Sequence, residues 1–204
     1  MKVPCPFLPP PDNVGDLHAL IQDLASGDEI RAENAVAGLV SLGEEAVPAL
    51  LNLTHSPVSD SRWWALRTLA QSPQLLPDWL IPFLNDPAPE VRQCAALGLG
   101  IKADENVIQP LVRALSDEDA MVCSLAERAL IKIGAAAVPS LIEVVKTASQ
   151  SARIHGLRAL AEIRDHRAIP IMMQVMEEES VLLQFWAKEG LDRLGLDMVY
   201  LKPV

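Results

Sequence analysis

The sequence predicts an all-α fold, a right-handed α–α superhelix built from six helical hairpins. Two observations lead to this prediction: an apolar pattern that recurs about every 30 residues along the 204-residue chain, and a helical period inside each repeat. A fixed period of this length is typical of solenoids, whose units cannot bury their apolar faces alone and bury them against their neighbours.

Each repeat carries an apolar triplet and, fifteen residues after its first member, a marker position. In chain order the triplets are Leu17/Leu20/Ile21, Val47/Leu50/Leu51, Pro77/Leu80/Ile81, Ile108/Leu111/Val112, Val138/Leu141/Ile142 and Ile169/Met172/Met173. The markers are Ala32, Arg62, Arg92, Cys123, Arg153 and Gln184. Successive markers are 30, 30, 31, 30 and 31 residues apart, so the repeats keep one register.

The fourth repeat illustrates the hairpin. One helical stripe contains Val107, Ile108, Leu111, Val112 and Leu115, and a second contains Val122, Leu125, Ala126, Ala129, Leu130 and Ile133. The polar residues 116–119 separate the stripes, and Gly134 follows the second. Spacings of three and four residues closed by glycine indicate helices. Each repeat is therefore predicted to contain a helix A of about ten residues, a turn, and a helix B of about twelve.

Residue types at equivalent positions agree with these boundaries. The first turn of helix A carries a proline, which lacks an N–H that is unpaired there anyway, in three repeats: Pro48, Pro139 and Pro170. Helix B ends at a glycine in three repeats: Gly43, Gly134 and Gly195. One position of helix B is always small, which predicts close helix packing: Ala35, Ala65, Ala95, Ala126, Gly156 and Ala187.

The arginines at the marker position are interpreted as part of the scaffold. Arg62, Arg92 and Arg153 recur with the repeat, and a guanidinium at a helix start can tie the polar turns of adjacent units together by bidentate hydrogen bonds. A residue that repeats in this way follows packing rather than a unique ligand site.

The predicted domain organisation has three parts. Residues 1–14 form a proline-rich arm, with five prolines in the first eleven residues, and residues 15–195 form the solenoid. Residues 196–204 are expected to fold back as a cap, because the last repeat is unusually rich in large apolar side chains. The alternative is that another chain covers this repeat, in a hetero- or homodimer.

Composition limits the function classes. The net charge of −10 opposes nucleic-acid binding, which depends on clustered lysine and arginine. No stretch approaches 18 uncharged apolar residues, and the N-terminal prolines oppose a secretory signal, so no membrane span is expected. Cys5, Cys94 and Cys123 are widely spaced and are interpreted as reduced thiols. These features together predict a cytoplasmic protein.

No catalytic or metal site is predicted. The four histidines, His18, His55, His155 and His166, lack metal-binding spacing. Cys94 and Cys123 lie among apolar neighbours in B helices and are expected to be buried and inert.

Three segments identify a family resemblance: Pro89–Gly100, Ala135–Val144 and Arg164–Pro170. With the period near 30, they resemble the short HEAT-like repeat of the phycobilisome-lyase type, over about residues 17–195. The resemblance implies a HEAT/armadillo-like solenoid. It implies one of three roles: a bilin lyase subunit, a protein of phycobilisome turnover, or a module that only binds other proteins. The family's marker arginine is replaced here by Ala32, Cys123 and Gln184.

Positions that break the repeat are the candidate binding residues. Helix B is expected to line the concave side, and the residues one and five after each marker share a helical face. Several of them are too apolar or too basic for an idle surface: Trp63, Arg67, Leu97, Arg128, Ile154, Arg158 and Phe185. Trp64 is expected to point inward, which leaves Trp63 available. Solvated arginines beside partly packed apolar residues are an equally weighted alternative.

This combination suits an amphipathic ligand that carries carboxylates, such as an acidic partner helix or a tetrapyrrole with its propionates. The predicted function is a non-catalytic protein–protein interaction module that binds an acidic or amphipathic protein on its concave face, without a cofactor. The alternative is a bilin lyase subunit or phycobilisome-turnover protein that handles a tetrapyrrole. Whether the protein is an enzyme stays open at this stage.

Overall fold

A computed structural model of the chain describes residues 14–102 and 104–196, so the predicted arm and cap lie almost wholly outside the described residues. The chain divides into two compact units, one ending at Trp79 and the other beginning at Leu80. All regular structure in the described residues is helical, arranged as six successive hairpins, as the period predicts.

The first unit contains two hairpins. Helices α1 (Val14–Leu24) and α2 (Glu29–Leu42) form the first, and α3 (Val47–Leu53) and α4 (Ser59–Gln71) form the second. Their apolar faces meet in one core whose fully buried members include Leu24, Leu39 and Leu69. Trp64 is buried in this core, as the sequence predicts. Trp63, which the sequence predicts to be available, is partly buried and packs against the core.

The second unit contains four hairpins. Its B helices are α5 (Pro89–Leu99), α7 (Ala120–Ile133), α9 (Gln150–Ile163) and α11 (Val181–Arg193). Its α-helical A helices are α6 (Ile108–Ala114), α8 (Val138–Thr147) and α10 (Ile169–Val175). The B helices pack in chain order, α5 on α7, α7 on α9 and α9 on α11, which places them side by side on one face of this unit.

Two A helices agree with the prediction of about ten residues, α1 with eleven and α8 with ten. Helices α3, α6 and α10 are shorter, with seven residues each, and each follows a 3₁₀ turn. In the third repeat helix A is replaced by two 3₁₀ segments, Pro77–Trp79 and Ile81–Asn85. Pro82 would lie inside a continuous helix there, where its ring removes a backbone hydrogen bond and clashes with the preceding turn.

Helix ends follow the predicted chemistry. Asp28 and Asp119 accept hydrogen bonds from backbone N–H groups at the starts of α2 and α7. The Val122 N–H and the Gln93 side chain hold the pKa of Asp119 below its ordinary value. Gly43 and Gly134 end their helices with φ of 60° and 78°, which glycine adopts without strain.

The small-residue position of helix B is buried in every repeat, as predicted. In the fifth repeat it is Gly156, where an added Cβ would lie 3.1 Å from Cγ2 of Val145 and 3.2 Å from Cγ1 of Val144. The glycine therefore lets α9 approach α8 more closely than any side chain would allow.

No single helix among the described residues is long and apolar enough to cross a bilayer; one pair, Glu29–Glu45 with Val47–Leu53, meets the length and composition test only jointly and bends by 119°.

Candidate ligand-binding face

The marker position lies in the first turn of every B helix. In five repeats the side chain there donates to a carbonyl oxygen of the preceding turn or, at Arg153, of the end of helix α8. Arg92 Nη1 donates to the Asp86 oxygen at 2.9 Å, and the Gln184 amide donates to the Glu178 oxygen at 2.5 Å. The equivalent contacts are Arg62 to Ser56, Cys123 to Asp117 and Arg153 to Val145. Arginine, cysteine and glutamine can all occupy the marker position because each side chain can donate a hydrogen bond to a carbonyl oxygen.

Two of these arginines also reach the next repeat. Arg92 is 6% exposed and binds Asp117 with two hydrogen bonds, Nε to Oδ2 at 2.9 Å and Nη2 to Oδ1 at 3.0 Å. The hydrogen bonds that Arg92 donates to Asp117 raise the pKa of Arg92 above its ordinary high value. Arg153 donates to Glu178 at 2.5 Å. The predicted scaffold role of these arginines, bidentate at Arg92, is confirmed.

Five of the seven candidate binding residues lie on B helices of the second unit. We call this set the B-helix face: Leu97 on α5, Arg128 on α7, Ile154 and Arg158 on α9, and Phe185 on α11. Leu97 and Phe185 are 58% and 55% exposed, unusually high for large apolar side chains. The face combines exposed apolar groups with two guanidinium groups.

Arg158 is positioned by contacts with side chains of two neighbouring helices. Its Nε lies 3.3 Å from Oε1 of Glu127 on α7, and its guanidinium lies over the Trp186 ring of α11, 5.2 Å from the centroid. Phe185 meets Trp186 edge to face at 5.1 Å. Helices α7 and α11 thus fix the position of the cation that α9 carries.

Glu127 is the buried anion of the face. It is 4% exposed, and its Oε2 lies 2.6 Å from Nδ1 of His155. One carboxylate oxygen therefore serves His155 and the other Arg158, which satisfies a buried charge that would otherwise be costly.

Arg128 follows Glu127 in the same helix but points to solvent. It is exposed and has no ion pair or hydrogen bond within the described residues. Arg128 and Arg158 occupy equivalent positions in successive repeats, five residues after the markers Cys123 and Arg153.

The other two candidates lie in the first unit. Arg67 of α4 forms an ion pair with Glu33 of α2, with Nη2 3.0 Å from Oε1. Its guanidinium also lies 5.3 Å from the Trp63 ring and 5.0 Å from the Trp64 ring. Arg67 is thus engaged within its own unit, and Trp63 is half-buried beside it.

Sequence reasoning missed three residues that shape the face: Glu127, His155 and Trp186. Glu127 stands four residues after the marker Cys123, among positions that are apolar or exposed in other repeats. The carboxylate at this position of the sequence could have indicated the basic cluster, because a buried acid requires a basic partner on a neighbouring helix.

Neither the thiols nor the potential metal ligands of the described residues form a further site, and Cys5 lies outside those residues. Cys94 and Cys123 are buried, and burial raises the pKa of the Cys123 thiol, so the reactive thiolate is disfavoured. Within residues 14–102 and 104–196 no group of three histidine, cysteine or acidic side chains could hold a metal ion.

Comparison with known proteins gives matches along the chain. Residues 77–150 match the family of HEAT repeats, and residues 152–178 match the PBS lyase HEAT-like repeat. The bilin biosynthesis protein RpcF of Synechococcus sp. (strain WH8020) is 36% identical over 115 residues. That match covers 55% of this chain and 52% of the relative, so it spans about half of each.

Solved structures show the same architecture. The archaeal HEAT-like repeats protein from Thermococcus onnurineus NA1 aligns with a TM-score of 0.59 and 15% identity, over 87% of this chain and 80% of its own. An engineered protein aligns with a TM-score of 0.52 and 20% identity, over 88% of this chain and 96% of its own. These alignments confirm the predicted HEAT/armadillo-like fold class.

Proposed function

We propose that the chain, whose residues 152–178 match the PBS lyase HEAT-like repeat, binds a bilin, as a lyase subunit or other chromophore-handling protein. The observation that carries the proposal is the 36% identity over 115 residues to a bilin biosynthesis protein. The PBS lyase HEAT-like repeat at residues 152–178, which includes Ile154 and Arg158, supports the same class of ligand.

The B-helix face suits such a ligand. A bilin is an extended, flat, conjugated molecule that carries propionate carboxylates, so it needs apolar surface and cations together. Leu97 and Phe185 offer exposed apolar area, and Arg128 and Arg158 offer positive charge on a chain whose net charge is −10. Burial of such groups against a ligand is the largest favourable term available here.

Titration of biliverdin with the purified full chain tests the proposal. We expect a saturable change in the visible absorption spectrum, and weaker binding by about tenfold in Phe185→Ala, because that change removes an aromatic contact. Arg113→Gln serves as the matched control, since Arg113 is exposed on the A helix α6, away from the B helices. A spectrum that never changes, or a Phe185→Ala variant that binds as tightly as the wild type, contradicts the proposal.

A second candidate is the binding of a partner protein, which one observation favours. Val181 and Leu182, at the start of α11, are 78% and 50% exposed beside Phe185. Exposed apolar groups in sequence mark interaction surfaces more often than idle ones. A homodimer through this helix would appear in light scattering as a mass that falls to the monomer value in Leu182→Asp. A single monomeric mass in both proteins contradicts the homodimer and leaves a different protein as the partner of this surface. A cytoplasmic location stays a prediction under both candidates.

A further inference from the structure

We propose that Arg128 and Arg158 form a two-point carboxylate site on the B-helix face, with Trp186 and Glu127 as positioning residues for Arg158. The inference rests on the proposed function and specifies it, because it states which ligand groups are recognised and by which residues. It predicts a ligand with two carboxylates on one apolar framework.

Arg158 keeps hydrogen-bond donors that no described residue uses. Although Arg158 is ion-paired with Glu127 and stacked on Trp186, it donates no hydrogen bond within the described residues. A guanidinium has five N–H donors in a planar fork that matches a carboxylate. Its two terminal nitrogens are therefore available to a ligand, while Nε faces Glu127 and the stacking on Trp186 already sets the position of the guanidinium.

Arg158 is much more exposed to solvent than its partner Glu127. The Arg158 side chain is 40% exposed, whereas that of Glu127 is 5% exposed. An approaching anion thus meets the guanidinium, with the Glu127 carboxylate beneath it and shared with His155. A cation fixed before the ligand arrives loses little conformational freedom on binding.

The two cations lie on helices that are neighbours. Arg128 and Arg158 lie at equivalent positions of α7 and α9, which pack directly against each other. Packed helices have axes about 8–10 Å apart, so the positioned Arg158 and the solvent-exposed Arg128 can each meet one carboxylate of the same ligand.

The other B-helix arginines of the second unit donate to acidic residues of the protein. Arg92 and Arg153 are engaged by acidic residues of the next repeat, and Arg193 by Glu162 and Glu189. Arg67 is engaged by Glu33 in the first unit. Arg128 has no ion-pair partner among the described residues, and Arg158 faces Glu127 through Nε while its terminal Nη atoms make no hydrogen bond there, so these two B-helix arginines of the second unit can still donate to a ligand.

The test compares biliverdin with its dimethyl ester, which has the same conjugated framework without carboxylate charge. The measured quantity is the ratio of the two dissociation constants for the full chain. We expect the diacid to bind the wild type at least tenfold more tightly, and Arg158→Gln or Arg128→Gln to reduce this preference about tenfold each. Arg113→Gln is the matched control and should keep the wild-type ratio.

Two aromatic variants separate positioning from general contact. Trp186→Leu removes the surface on which Arg158 rests, without a change of charge, and should reduce the preference for the diacid. Phe185→Ala should weaken the diacid and the ester equally and leave the ratio unchanged. A merely structural role of Trp186 would likewise weaken both ligands together, so an unchanged ratio in Trp186→Leu overturns its positioning role.

The outcomes distinguish the two proposals. If both ligands bind the wild type equally, or if Arg113→Gln reduces the ratio as much as Arg158→Gln does, the carboxylate site is overturned while bilin binding stands. If neither ligand binds, the proposed function and the carboxylate site fail together.

Discussion

At the scale of single residues, arginine has two distinct roles in the B helices, and burial decides between them. Arg92 lies at a helix start, is 6% exposed and is bound by Asp117 and two backbone carbonyls of its own turn. Arg158 lies one turn further along its helix, is 40% exposed and keeps its donors available. The sequence supports this distinction, because scaffold arginines recur at the marker and the others occupy a different register.

Replacement of Arg92 by alanine should destabilise the protein. The change leaves Asp117, whose side chain is 12% exposed, without its bidentate partner, so we expect the free energy of unfolding to fall by about 3 kcal/mol. Urea denaturation followed by circular dichroism measures the effect. Arg128→Ala, which removes an exposed and unpaired arginine, should change stability by less than about 0.5 kcal/mol. Equal losses in both variants would refute the scaffold role of Arg92.

At the scale of helices, close packing between hairpins depends on small residues, and local sequence decides where helix A is irregular. Ala95, Ala126, Gly156 and Ala187 occupy the contact position in the four hairpins of the second unit and are all buried. Pro82 replaces an α-helix by 3₁₀ segments in the third repeat, yet Leu80 and Leu84 remain buried there. The apolar pattern thus determines which side faces inward even where the helix type changes.

A leucine at Gly156 should be poorly tolerated. Its Cβ alone would lie within 3.2 Å of both Val144 and Val145, so α9 must move away from α8, at a cost of about 1–3 kcal/mol. Ser151→Leu places the same side chain at an exposed position of α9 and should be nearly neutral. Thermal unfolding of the two variants provides the comparison, and a Gly156→Leu protein as stable as Ser151→Leu would refute close packing at this contact.

At the scale of the whole molecule, charge sets which partners are plausible. The net charge of −10 repels polyanions over distances of about a Debye length, while Arg128 and Arg158 attract carboxylates only locally. A small ligand with two carboxylates can use such a local site, whereas a nucleic acid would also meet the acidic surroundings.

Nucleic-acid binding should therefore be very weak. We expect the full chain to leave the mobility of double-stranded DNA and single-stranded RNA unchanged at protein concentrations up to about 100 μM in physiological salt. A strongly basic DNA-binding domain run in parallel controls the assay. A shifted band at about 1 μM would contradict this prediction and reopen the B-helix face as a phosphate-binding surface.

The sequence by itself determined the all-helical repeat fold, the inward-facing residues, the small contact position and the scaffold role of the marker arginines. These features are periodic, and each follows from helical geometry within about 30 residues of chain. Tertiary structure alone decided which arginines remain available. Arg67 meets Glu33 from 34 residues away, and Glu127 meets His155 from 28 residues away, in a neighbouring hairpin. Similar arginines therefore differ because their partners come from adjacent repeats, and only packing determines whether a carboxylate lies within reach of the guanidinium.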